Sequence, residues 1–465
     1  MNMASMTISS RLSGIAGPSG VITDPAELAA YQIGDKIPRA VVRPRTGEEV
    51  AELVKFASAE RLAIVPTGAR TKLGMGMPPR QYDLALDMTQ LDRVIAFEPG
   101  DLTLGVEAGV PLEKLAAVLA EHRQFLPLPV PFGFRTTIGG TIASGVDSPL
   151  RQFYGTARDY LLGTEFVTGE GLLARSGGRV VKNVTGYDIH KLMIGALGTL
   201  GVITKINFRT FPLPGATRAF VALFESAERA LELRHRVAGS PLTPLSLEIM
   251  SPRVAELLSG DVAARIESDP IPASLLRKTH WALMAGFAGN PQVLGRCERD
   301  LCQMAQLSGA TSTAVLEEDK TAGAFGRVRE FIPIALASSD ATTIVKMMVL
   351  PAQMKQVLAS AERAAETNSL LWAALARGLG VIYFALLPTD GEQDSRRRVT
   401  QATDQILLTC RDSGGEATIP WCPAEWKSAL KVWGLNRRDL DQMRKLKEVF
   451  DPHGTLSPGR FVGGL

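Results

Sequence analysis

Three glycine- and threonine-rich segments carry the residues best suited to hold a ligand. Thr67-Gly68-Ala69-Arg70-Thr71-Lys72-Leu73 follows a short apolar run that ends at Pro66. The second segment is Thr136-Thr137-Ile138-Gly139-Gly140-Thr141-Ile142-Ala143-Ser144-Gly145, and the third is Gly195-Ala196-Leu197-Gly198-Thr199-Leu200-Gly201-Val202-Ile203-Thr204. Missing Cβ atoms let main chain approach something large and flat. Backbone N–H groups from tight turns or a helix start then converge on an anion such as a pyrophosphate. The loop Thr67 to Leu73 supplies one such set, and Thr137-Ile138-Gly139-Gly140 supplies another if a helix begins at Gly139. One helix terminus contributes about 1 kcal/mol per charge at a surface and up to ~2 when partly buried. Tight binding therefore requires both segments together with buried rings.

A pyrophosphate joined to flat rings describes a flavin dinucleotide, and that is the ligand the three segments predict. A dinucleotide site of the G-x-G-x-x-G kind is excluded, because Gly68 has no partners at that spacing. A phosphate loop ending Gly-Lys-Ser/Thr is excluded by Arg70-Thr71-Lys72-Leu73. Ordinary tight turns would explain one loop, but three in order argue for a shared ligand.

Candidates for proton transfer are few. Lys182-Asn183-Val184-Thr185-Gly186-Tyr187-Asp188 runs into His190, so Tyr187 and His190 are weak candidates for a base near the ligand. The competing reading of His190 is a hydrogen-bonded structural histidine, and of Tyr187 simple packing. His122, His190, His235, His280 and His453 show no metal-ligand spacing, so no metal is expected. Cys297, Cys302, Cys410 and Cys422 lack the two-residue spacing of a cluster or zinc site. Cys297 and Cys302 read as two buried thiols of a reducing compartment.

The elements that must position these residues follow from pattern. The chain has 465 residues, enough for two or three domains, with 45% hydrophobic and 21% charged residues. A net charge of +3 without a basic-aromatic stripe excludes nucleic acid as a partner. No run reaches the roughly 18 apolar residues of a membrane span, and no signal peptide is legible, so a cytoplasmic protein is expected, meeting a membrane only through a partner. Residues 1–20 read as a flexible tail. Asp24-Pro25 opens a helix, Glu48 to Glu60 is an amphipathic helix, and Leu62 to Pro66 is a strand stopped by proline. Further strands are expected at Leu84–Asp87, Val94–Phe97, Leu102–Glu107, 160–176 and 200–213, with a helix at Leu112–His122. Pro212-Leu213-Pro214-Gly215 marks a boundary. Beyond it, strands at Leu245–Ile249, Trp281–Phe287, Thr343–Leu350 and Leu379–Leu387 alternate with helices at Pro291–Leu307, Pro351–Thr367 and Arg397–Cys410. This is an α+β unit, read as two similar halves on one antiparallel sheet. A basic amphipathic helix, Asp439 to Phe450, precedes an extended tail.

In this order the segments resemble the FAD-binding domain of the vanillyl-alcohol-oxidase (PCMH) type, and within it the FAD-binding E subunit of bacterial glycolate oxidase. The likeness covers about Asp24–Pro214 and Trp426–Val462. GGTIASG (139–145), TARDYLLG (156–163), GGRVVKNVTGYDIHKL (177–192) and GALGTLGVIT (195–204) carry it, with the ending LKEVFDPHGTLSPGRFVGG. The resemblance implies a fold with a two-subdomain FAD-binding domain (21–215), an α+β cap on an antiparallel sheet (216–425), and a segment returning to the FAD domain (426–465). It implies that Thr67, Gly68, Ala69, Arg70, Thr71, Lys72 and Leu73 hold the pyrophosphate. Thr137, Gly139, Gly140, Ser144 and Gly145 would line phosphates and ring, Tyr154, Gly155 and Arg158 would support the flavin, and Gly201, Val202 and Ile203 would touch the adenine half. Arg460 would reach the cofactor or fasten the tail; the roles of Lys182 and Asn183 stay open.

Departures from the family shape the functional expectation. Members that tether flavin carry a histidine where this chain has Ala69, Arg70, Thr71 and Val146, so non-covalent FAD is expected. Hydroxy-acid-oxidising members carry Ser-Glu before Gly-Thr-Leu-Gly, where this chain has Ala196-Leu197, and cap histidines where it has Leu379–Leu387. The resemblance implies the flavin subunit of a 2-hydroxy-acid (glycolate or D-lactate) dehydrogenase complex, working with a catalytic D-type flavin subunit and an iron–sulfur subunit. The alternatives are a self-sufficient FAD-dependent oxidase or dehydrogenase, favoured by the large cap, and a non-catalytic scaffold.

Overall fold

The structure, a computed structural model, describes residues 3–179, 186–266, 276–389, 392–435 and 437–465. The amphipathic run after Thr46 forms helix Gly47–Ala59. The Thr46 hydroxyl caps it by accepting the Glu49 N–H, and Val50, Leu53, Val54 and Ala57 are wholly buried. The helix is the crossover between parallel strands Ala40–Val42 and Ile64–Thr67, both of which pair with Leu84–Asp87. Val21–Ile22 completes this first sheet. Asp24 accepts the N–H groups of Ala26 and Glu27 as the expected cap.

A second sheet is antiparallel, in the order Val94–Glu98, Thr103–Glu107, Val202–Arg209, Leu161–Val167, Leu173–Gly177. Helix Ile138–Ser144 is laced to it by Ile138 N–H to Val110 O (2.9 Å) and Gly139 N–H to Ala108 O (2.8 Å). The two sheets are the two subdomains expected of the FAD-binding fold.

The third sheet has eight strands, all antiparallel. Thr217–Phe224, Ser246–Met250, Trp281–Ala288 and Ser312–Leu316 form one half, with helices Ala227–Ala238 and Pro291–Leu307. Thr343–Met348, Leu371–Arg377, Val381–Leu387 and Glu416–Trp421 form the other, with helices Met354–Thr367 and Glu392–Asp412. Both halves share the order strand, helix, strand, strand, helix, strand, the first with short helices Pro252–Leu258 and Asp261–Ile266 added between its second and third strands, and they join where Ser246–Met250 pairs with Leu371–Arg377. The two similar halves read from the sequence are thus a duplicated topology. Cys297 is buried on its helix, whereas Cys302, expected to be buried, is partly exposed; all the cysteines are free thiols.

The N-terminus departs from expectation. Instead of a loose tail, Met3–Ala16 is a helix, and its Leu12 and Ala16 join the core formed by Val50, Leu53 and Val54. Leu12 and Ala16, one turn apart with Ile8 and Ile15 beside them, form an apolar stripe that the serine and glycine content masked. At the other end, Ile64 N–H donates to Thr455 O and Ser457 N–H to Ile64 O, both at 2.8 Å, so the tail extends the first sheet along its edge.

Candidate functional site

Where strand Ile64–Thr67 ends, the chain turns into a loop whose N–H groups at Gly68, Ala69, Arg70, Thr71 and Lys72 donate to no acceptor among the described residues. Arg70 holds φ at 62°. A left-handed residue within a run of free N–H groups curves the backbone into an anion-binding concavity. The loop is braced from outside. The Arg70 guanidinium lies 4.5 Å from the Tyr31 ring centroid, and the Tyr31 hydroxyl donates to Asp87 Oδ2 at 2.6 Å. Arg43 Nε donates to the same oxygen at 3.1 Å.

This loop forms one wall of a cavity between the two flavin-domain sheets. Thr137, Gly139, Gly140 and Ser144 from helix Ile138–Ser144 form the floor, and Gly201, Val202 and Ile203 form the far side. Leu197 and Gly198 complete the rim, and Arg460 enters from the C-terminal tail. Arg70, Lys72 and Arg460 line it without any carboxylate. Lys72 Nζ donates to Thr136 Oγ1 at 2.6 Å, and burial pulls its ammonium down to about 7, against the pull of the Glu330 carboxylate. Burial likewise lowers the Arg460 guanidinium to about 10, with Tyr82 opposing. Its Nη2 donates to Leu73 O (2.8 Å) and Met75 O (2.6 Å), while its buried Nε has no partner. Arg460 therefore both fastens the tail and faces the cavity. A concave run of free donors, cations with no carboxylate beside them in the lining and a floor without bulk suits a diphosphate-bearing dinucleotide.

The glycines divide by cause. A Cβ on Gly139 would lie 2.7 Å from Ala108 O, and one on Gly201 would lie 2.9 Å from the Phe166 ring. These two are required by packing within the protein. A Cβ on Gly68 would meet Thr137 Oγ1 at 2.1 Å, so that glycine lets the loop close on the helix start. Gly140 meets only Thr137 Oγ1, at 3.0 Å, and otherwise opens on the cavity. The donor role expected of 137–140 is reduced. The helix begins at Ile138, not Gly139, Gly139 N–H is spent on Ala108, and Gly140 N–H donates to the capping Thr137 hydroxyl at 3.3 Å.

Several expected residues lie elsewhere. Gly145 ends its helix at φ 61° and borders a neighbouring cavity. Tyr154 packs edge-on against Phe125 and Phe211, Gly155 caps the short helix Arg151–Tyr154, and Arg158 is exposed; none lines the cavity. Tyr187 is 92% exposed. His190 is buried, with Nδ1 3.2 Å from Ser176 Oγ, and burial lowers its pKa. Neither reaches the cavity. Lys182 and Asn183 lie outside the described residues. Sequence reading missed Tyr31, Asp87, Thr136 and Lys427. Lys427 Nζ donates to the carbonyls of Gly74 and Gly76 and so pins the end of the loop. Lys427 had a signal in its place in the C-terminal family segment, and Thr136 in opening the second glycine- and threonine-rich segment.

No group of histidine, cysteine or acidic side chains suits a metal among the described residues, and no described helix is long and apolar enough to cross a membrane. Residues 38–177 match the family model for an FAD binding domain, and 213–418 with 433–461 match that for FAD linked oxidases, C-terminal domain. The chain is 25% identical to glycolate oxidase subunit GlcD of Bacillus subtilis, over 98% of this chain and 97% of that protein. It is 35% identical to glycolate oxidase subunit GlcE of Escherichia coli, but over 37% of this chain and 48% of that one. The likeness to an E subunit is thus sharper and shorter than that to a D subunit. Among solved structures, p-cresol methylhydroxylase superposes with a TM-score of 0.76 at 18% identity, over 99% of this chain and 97% of that one, which bears on the fold alone.

Proposed function

We propose from one premise, that this chain belongs to the family of FAD-linked oxidases and is an FAD-dependent oxidoreductase, that it oxidises a small 2-hydroxy acid as part of a multi-subunit dehydrogenase. The observation that carries the reading is the cationic cavity under the loop 67–73, which meets a second cavity against the cap at Ser144. A cofactor in the first would present its reactive end toward the second. When bound, FAD supplies the acceptor for two electrons from the substrate. The chain's own part is to hold and orient. Free amides of 68–72 with Lys72 and Arg460 would bind the diphosphate, and the residues at 201–203 would flank the adenine half. Tyr31, Asp87, Arg43 and Lys427 keep the loop in shape. No histidine, cysteine or tyrosine lines the first cavity, which favours FAD held without a covalent bond.

The glycolate oxidase relatives, both named as subunits, support a multi-subunit complex, and we add to it a catalytic D-type flavin subunit and an iron–sulfur subunit that takes the electrons onward. The scattered free cysteines of this chain suit delivery to another protein rather than a cluster of its own. Purified alone, the chain should be yellow and inert with glycolate and D-lactate, and it should gain activity when the two partner chains are added. Rapid turnover by the isolated chain sinks this reading. It would favour a self-sufficient dehydrogenase, which the complete cap sheet and second cavity also suit.

A further inference from the structure

The second cavity lies between Ser144 and Gly145 of the flavin domain and the cap strands bearing Lys346, Tyr383, Thr418 and Trp421. Lys346 is its one charged lining residue; Ser144, Tyr383 and Thr418 bring hydroxyls, and the rest of the lining is apolar or aromatic. Among the described residues the Lys346 ammonium has no hydrogen bond or ion pair, although the Asp147 carboxylate behind the wall attracts it through space, and it sits 5.8 Å from the Tyr383 ring centroid. Trp433, also in the lining, has a buried indole N–H without an acceptor. Behind the wall lie other charges, held to one another by ion pairs although Arg377 Nε and Nη1 and both Glu248 carboxylate oxygens make no hydrogen bond. Arg377 faces Asp147 at 3.2 Å and Glu248 at 3.9 Å, and the Tyr383 hydroxyl donates to Asp147 at 2.7 Å. Arg151 also meets Asp147, at 3.4 Å.

We infer that this cavity is the substrate site and selects a monocarboxylate, with the carboxylate on Lys346 and the Trp433 N–H and the rest of the molecule against the aromatic wall. This rests on the reading of function above and deepens it. One free cation and one free donor match one carboxylate. A second carboxylate would be buried against rings, with the nearby Arg377 turned to Asp147 and Glu248, and a buried charge without its own partner is disfavoured. Tyr383 and the Asp147–Arg377 pair are positioning residues, since they aim the ring that Lys346 rests on.

The test is equilibrium titration of the FAD-loaded protein with glycolate, D-lactate and D-2-hydroxyglutarate, read by tryptophan fluorescence and the flavin spectrum. D-lactate or glycolate should bind at least about tenfold more tightly than the dicarboxylate. Lys346→Met should lose about tenfold or more, the worth of a charge-assisted hydrogen bond. Lys346→Arg should restore much of the loss, and Trp433→Phe should weaken binding less than Lys346→Met. FAD content and melting temperature serve as folding controls. Undiminished binding by Lys346→Met, tighter binding of D-2-hydroxyglutarate, or binding of none of the three overturns the assignment. A protein that takes up no FAD defeats instead the reading of function on which it rests.

Discussion

At the scale of single residues, Gly139 and Gly140 separate packing from ligand binding. Gly139→Ala drives a Cβ onto the Ala108 carbonyl. Overpacking costs about 1–3 kcal/mol, offset by at most ~1 kcal/mol of helix propensity. The apoprotein should therefore lose stability in denaturant unfolding. Gly140→Ala should leave apoprotein stability nearly unchanged and weaken FAD binding, measured by titrating apoprotein, about tenfold or more, because its methyl enters the cavity. Equal effects of the two on stability would contradict the division. Lys72 adds a pH dependence. Without ligand its ammonium titrates at about 7. A bound diphosphate favours the charged form, so the complex holds the proton to higher pH, toward the ordinary ~10.4. FAD affinity should then be constant below pH 7 and fall above it, by at most about 1.4 kcal/mol per pH unit. Lys72→Met should bind more weakly at pH 6 and lose that slope. The sequence made the loop and its donors legible. It did not make legible which glycines serve the protein and which serve the ligand, because Ala108 and Phe166 are brought beside them only by the fold.

At the scale of elements, the least visible device is the one that returns the C-terminus to the flavin domain. Lys447 and Asp451, one turn apart, form a buried pair. Lys447 also donates to Thr199 O at 2.7 Å and to Leu456 O at 2.9 Å, and Asp451 accepts the N–H groups of Thr455 and Leu456 at 2.9 Å. Asp451→Ala strands an ammonium in the core, and breaking a buried pair in this way costs about 3–5 kcal/mol. The melting temperature should fall. FAD affinity should fall with it, because Leu456 to Arg460 would lose their seat on the edge of the first sheet. An unaltered melting temperature would contradict the role given to the pair. The sequence marked the end of helix Leu440–Phe450 at Asp451-Pro452-His453-Gly454. It gave no sign of a partner at Thr199. Strand Leu371–Arg377 was hidden for another reason: its alanines carry little β-propensity, and it is a strand because it lies between Ser246–Met250 and Val381–Leu387. The N-terminal helix was hidden by composition alone.

At the scale of the molecule, polar contacts at Asp147, which also pairs with Arg377, and at Glu330 tie the cap to the flavin domain. Tyr383 OH reaches Asp147, and Phe132 N–H donates to Glu330 Oε2 at 2.9 Å. Tyr383→Phe should cost about 1–3 kcal/mol, since it withdraws a donor from a buried carboxylate. A calorimetric melt in which the cap unfolds at a lower temperature than in the wild type would read this directly. The duplicated cap topology was anticipated, yet no repeat survives in the side chains, because a sheet needs only apolar residues at alternating positions and not the same ones. The central claim is that the cationic cavity holds FAD. Its most direct measurement is to purify the chain under native conditions, denature it, and identify what is released. The account predicts one FAD per chain, freed entirely without proteolysis, and lost from Lys72→Met or Gly140→Ala more readily than from wild type. A colourless protein whose apo form takes up no added FAD, or a flavin that stays bound to the denatured chain, would contradict it.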